Sequence, residues 1–148
     1  GYTAVVQILL EQGQVDANRT DDVSGLTPLH IACDLGHYSI IRYLVEEARV
    51  DANRITTASK TPFLIACEIG HVAIVRFLVE QAQVDANMSD DNGETPLHRA
   101  CECGHTAVVQ ILVESNRVNV EKIAKSSGMT PLHTACRYGS TGAVKCLL

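Results

Sequence analysis

No stretch of this chain stays apolar for the ~18 to 20 residues needed to cross a bilayer. Apolar runs are short, and one such as Val108 to Val113 is broken by Gln110. Nor is there a block of five or six like charges: the net charge of -5 is spread along 148 residues, which disfavours both an interaction tail and wholesale binding to a phosphate backbone. The first residues lack the basic flank and apolar core of a signal peptide, so targeting information is expected outside this segment. Also missing are a nucleophile elbow, a phosphate-cradling glycine loop and a catalytic pair of carboxylates. Membrane insertion, nucleic-acid binding and catalysis are thereby disfavoured, and no cofactor is implied. What the chain does have is apolar content, 46% hydrophobic residues, enough to bury a core and argue against intrinsic disorder.

The sequence repeats itself. Thr27-Pro28-Leu29-His30 returns as Thr61-Pro62-Phe63-Leu64, Thr95-Pro96-Leu97-His98 and Thr130-Pro131-Leu132-His133, at spacings of 34, 34 and 35 residues. A second landmark keeps the beat as Gly36-His37, Gly70-His71, Gly104-His105 and Gly139-Ser140. A third runs Val15-Asp16-Ala17-Asn18, Val50 to Asn53, Val84 to Asn87, and a degraded Val118 to Glu121. Three phased signals define an internal repeat.

Each landmark has local meaning. Threonine is an N-cap, and the following proline sits at N1, where its missing N–H costs nothing. The glycine nine residues on suits a left-handed C-cap, so the first helix of each unit has about two turns. Beyond it, sets such as Ile40-Ile41-Leu44-Val45 and Ile74-Val75-Leu78-Val79 place an apolar stripe on a second helix that packs back on the first. Between units, segments such as Asn87 to Glu94 mix Asp, Asn, Ser and Gly in the chemistry of a turn or hairpin.

These residues resemble the ankyrin repeat family, whose Thr-Pro-Leu-His-x-Ala motif is matched at Thr27–Ala32, Thr95–Ala100 and Thr130–Ala135. A tetratricopeptide array shares the period but needs an early tryptophan and a Leu-Gly pair, and this chain has no tryptophan. The expected fold is an all-α solenoid of helix-turn-helix units joined by β-hairpin or turn fingers. Its expected divisions are 1–17 (a partial repeat, second helix only), 18–52, 53–86, 87–120 and 121–148 (truncated in its second helix). Both ends fall inside a repeat, so the natural protein is expected to continue in both directions, with cut ends prone to end-to-end association. The pattern departs from the family at Leu64, which replaces the motif histidine, and at Ser59, which stands where Gly25, Gly93 and Gly128 stand elsewhere. In the family that histidine ties neighbouring fingers together, so the finger around Ile55 to Lys60 is expected to be less rigidly held.

The most tempting chemistry is His98-Arg99-Ala100-Cys101-Glu102-Cys103-Gly104-His105, with two imidazoles and two thiols. Most of these are framework residues repeated in the other units, and Cys101 and Cys103 lie about 200° apart around a helix. No metal site is expected. Cys33, Cys67, Cys101 and Cys136 share one repeat position and read as reduced core thiols, which favours an intracellular setting, cytoplasmic or nuclear; Cys103 should face outward.

The resemblance implies a non-catalytic interaction module whose partner lies against the fingers and first helices, on a concave face. By register that face holds Ile31, Asp34 and Leu35; Ile65, Glu68 and Ile69; Arg99, Glu102 and Cys103; and Thr134, Arg137 and Tyr138. Ile31, Leu35, Ile65 and Ile69 form an expected apolar patch, though Ile31 and Ile65 also suit packing beneath the fingers. Asp34, Glu68 and Glu102 form an acidic stripe beside it. The expected partner is a protein or peptide with an apolar anchor and basic flanks; a recognition arm of a larger ligase or kinase, or a structural spacer, are the alternatives. In some ankyrin proteins the asparagine of a Val-Asp-x-Asn motif is hydroxylated, which carries over to Asn18, Asn53 and Asn87; the plainer reading is that each asparagine starts its finger turn.

Overall fold

A computed structural model describes residues 2–13, 15–80 and 84–148; Gly1, at which the first expected division begins, lies outside them. The described residues form α1 (Tyr2–Glu11), α2 (Pro28–Leu35), α3 (Tyr38–Glu46), α4 (Pro62–Ile69), α5 (Val72–Glu80), α6 (Pro96–Glu102), α7 (Thr106–Glu114), α8 (Pro131–Arg137) and α9 (Thr141–Leu147), with no strand among them. First helices α2, α4, α6 and α8 stack side by side in one layer, and α1, α3, α5, α7 and α9 form a second layer against them. The fingers are turns rather than strand ladders. Each is closed by a backbone bond across its base, from Asp21 to Leu26, Thr56 to Lys60, Asp90 to Glu94 and Ala124 to Met129.

Capping explains why such short helices form. Thr27, Thr61, Thr95 and Thr130 are all extended N-caps whose side chains accept from the N–H three residues on, with proline entering the first turn. At the other end Gly70 takes φ 89°, and a Cβ there would meet the His105 ring at 2.7 Å. Helices of seven to ten residues are marginal alone, so their stability comes from packing between the layers. Phe63, Leu29, Ile41, Leu44, Leu78 and Leu97 are fully buried there, each contributing roughly 1.5–3 kcal/mol through removal from water.

Polar side chains then fix the spacing of the units. His71 and His105 donate from Nε2 to the carbonyls of Asp34 and Glu68, one unit earlier, at 3.1 and 3.0 Å. Ser140 takes over the role in the last unit, bonding the Cys101 carbonyl at 2.6 Å. Asn18, Asn53 and Asn87 each accept from a backbone N–H in the next unit, at Asp51, Asp85 and Asn119.

Two expectations change. Cys33, Cys67 and Cys101 are buried as expected, but Cys136 is exposed. The first three sit on helices that another first helix follows, whereas α8 has a first-helix neighbour only at α6. The Ser59 finger, expected to be loose, carries bonds in both directions: Thr57 donates its N–H and its hydroxyl to the Ser24 carbonyl, and Ser59 donates to Asp91 at 2.6 Å.

Candidate functional site

Two of the four N-cap motifs tie their first helix to the next finger through the motif histidine. His30 Nε2 lies 3.0 Å from the Lys60 carbonyl and His98 Nε2 3.1 Å from that of Met129. A carbonyl only accepts, so both rings carry their proton on Nε2. Nδ1 then accepts from the backbone N–H of Thr27 or Thr95, which fixes each ring as neutral. Burial lowers both pKa values below the ordinary histidine range, only partly offset by those carbonyl bonds. With both ring nitrogens engaged inside the fold, neither histidine is placed for catalysis or metal ligation. Leu64 takes the histidine's place in the second motif and is fully buried.

The last turn of each first helix points away from the second-helix layer and builds the candidate surface. Leu35, Ile69 and Tyr138, at 59%, 46% and 51% exposure, share one register position with the exposed thiol of Cys103. They form a row that crosses all four first helices. Burial, followed by the carboxylates of Glu102 and Glu68, holds the Cys103 thiol above its ordinary range. It is therefore a soft apolar contact and not an activated nucleophile.

The neighbouring row corrects the sequence reading. Ile31 is 46% exposed but Ile65 only 8%. The difference follows from position: α4 is packed between α2 and α6, while α2 has a first-helix neighbour only at α4. Ile65 belongs to the interior, and the apolar patch reduces to Ile31, Leu35 and Ile69.

Arg99 is not a free cation either. Its side chain retains 15% exposure and is gripped by Asp90 at 2.5 Å, Glu94 at 3.0 Å and Glu102 at 2.8 Å. Burial opposes its charge, but the bond to Asp90 and the fields of Glu94 and Asp90 outweigh that and hold the guanidinium above its ordinary pKa. Glu94 moves upward because burial outweighs its attraction to Arg99. Asp90 also accepts the N–H groups of Asn92 and Glu94, so the knot fastens the third finger to its own helix. The sequence does not show this because Asp90 and Glu94 lie in a finger turn, and their nine- and five-residue offsets from Arg99 match no helical spacing.

The acidic stripe is thinner than expected for the same reason. Asp34 is exposed, but Glu68 pairs with Lys60 at 2.6 Å and Glu102 belongs to the Arg99 knot. Three carboxylates around one guanidinium still leave the knot net acidic. Tyr138 sits at its edge, its hydroxyl pKa raised first by a bond to Glu102. Arg137 is exposed, reaching Met129 Sδ at 4.0 Å. Asn18, Asn53 and Asn87 are half-buried staples between fingers.

A family model described as ankyrin repeats in three copies matches residues 1–56, 48–124 and 82–148, and so spans the chain. The chain belongs to the ankyrin-repeat family. A search of curated proteins returned no match. Ankyrin repeats are in general protein-interaction modules and typically non-catalytic, and among the described residues no helix is long and apolar enough to cross a membrane.

Proposed function

We propose that this ankyrin-repeat chain binds a protein segment across the exposed row Leu35, Ile69, Cys103 and Tyr138, with Ile31 at one end and residual acid beside it. The observation that carries the proposal is the exposure of that row, where four first helices present apolar or aromatic groups in register beside Asp34 and the net-acidic Arg99 knot. A partner with apolar anchors and basic flanks fits this chemistry. A pure spacer would have no use for Leu35 and Ile69 at about half exposure. Whether the module acts alone or selects substrates for a larger enzyme depends on what it is joined to. Its six free thiols suit a reducing compartment, cytoplasm or nucleus. The half-buried asparagines would be modified only when their inter-finger bonds open, so hydroxylation there would be slow in the folded chain.

The test is a capture experiment from lysate with the wild-type chain and a Leu35→Lys, Ile69→Lys double variant. Both side chains are exposed, so thermal stability should be unchanged. A specific partner held by the wild type and lost by the variant supports the reading; equal capture by both moves the site off this face.

A further inference from the structure

The opposite face of the molecule carries a second feature. Between α3 and α5, on the outer side of the second-helix layer, lies a groove of about 670 Å³. Its floor is aromatic: Tyr38, 40% exposed, meets the largely buried Phe77 edge-on, with ring centroids 5.7 Å apart at 72°. Ala73, a residue too small to fill the space, lies beside them. The walls are two matched rows, Tyr38, Arg42 and Glu46 on α3 against Val72, Arg76 and Glu80 on α5. Both rows step four residues at a time, so the groove presents three levels, apolar, doubly cationic and doubly anionic. The equivalent positions on α7 are Thr106, Gln110 and Glu114, so the paired arginines are particular to this groove.

The charges in the walls are available. Arg42 reaches Glu46 at 2.9 Å and Arg76 reaches Glu80 at only 3.7 Å, with the arginine side chains 54% and 56% exposed. Such exposed pairs within one helix contribute little and exchange readily for a better partner.

From this pattern we infer that the α3–α5 groove is a second docking surface, taking one amphipathic helix of a protein partner. The occupant carries an apolar side chain over Tyr38 and Val72, a carboxylate four positions along between Arg42 and Arg76, and a cation four further between Glu46 and Glu80. A helix is specified because its own four-residue repeat rises about 6 Å, the same interval as the groove walls, so all three levels stay in register. The paired glutamates disfavour an anionic membrane surface as the occupant. This surface is independent of the row on the first helices, and both can be filled at once.

The probe is a synthetic helical peptide of about 18 residues with Leu, Glu and Lys at i, i+4 and i+8, made in both chain directions and titrated into the chain by calorimetry. The expected result is saturable binding by one direction, weakened by roughly tenfold or more in an Arg42→Glu, Arg76→Glu variant and regained when that variant meets a peptide with Lys in place of Glu. Both arginines are over half exposed, so the variant should fold, which circular dichroism checks. The Leu35→Lys, Ile69→Lys variant should bind the peptide as the wild type does, which separates this surface from the first. The inference is overturned by absence of binding in both directions, by equal binding of a proline-interrupted peptide of the same composition, or by sedimentation showing that the groove pairs with a second copy of the chain.

Discussion

Arg99 shows how one side chain can belong to the framework while standing at a position that invites a binding role. Its charge is balanced by Asp90, whose side chain is only 3% exposed, and truncation would leave that carboxylate without its counter-charge. We expect Arg99→Met to destabilise the fold by about 3 kcal/mol, the lower end for a broken buried pair because the guanidinium keeps some solvent contact. Denaturant unfolding measures this, and a loss within error of zero would mean that the backbone N–H groups alone satisfy Asp90. The Nε of Arg99 is itself buried without a hydrogen-bond partner among the described residues, as is the hydroxyl of Thr134. The knot is therefore held by charge rather than by complete satisfaction of every donor.

Among the elements, the fingers separate backbone strain from close approach. Gly93 has φ 77°, and a Cβ there would come within 2.5 Å of the backbone nitrogen of Lys125 in the next finger. Ser59 adopts the same left-handed region, at φ 56°, and holds its place with the bond to Asp91. Gly93→Ala should cost more than about 2 kcal/mol, since the left-handed penalty and a clash with unyielding backbone add. Ser59→Gly should change stability by less than about 1 kcal/mol, because relief of strain offsets one exposed hydrogen bond. Thermal unfolding of the two variants side by side distinguishes these outcomes; equal losses would show that approach between fingers does not matter.

Across the whole molecule, each unit is covered by its neighbours in a line, so protection follows position along the solenoid. Burial pushes the thiols of Cys33 and Cys101 up to about 12 and that of Cys67 well above its ordinary value. Cys103 and Cys136 are exposed on the surface. Thiol labelling of the native chain, read by mass spectrometry, should modify Cys103 and Cys136 promptly and the three buried cysteines only through opening of the fold. Labelling of Cys67 as fast as Cys136 would contradict the packing described here.

The sequence by itself determined the repeat, its period, the threonine caps, the glycine turns and the two-helix unit, because these depend on interactions a few residues long that recur in phase. By register it also put Leu35, Ile69, Cys103 and Tyr138 on one expected face, since one register position has one orientation in every unit, but it grouped the apolar patch as Ile31, Leu35, Ile65 and Ile69. Only the tertiary structure decided which members of a register position are covered. Ile31 and Ile65 are equivalent in sequence, yet only Ile65 has helices packed on both sides, and Cys136 differs from Cys67 for the mirrored reason. Arg99 found its partners at Asp90 and Glu94, Lys60 found Glu68, and the α3–α5 groove arose from two helices facing each other across a gap. Burial and ion pairing depend on what the neighbouring unit and finger bring into contact, and no short-range pattern carries that information.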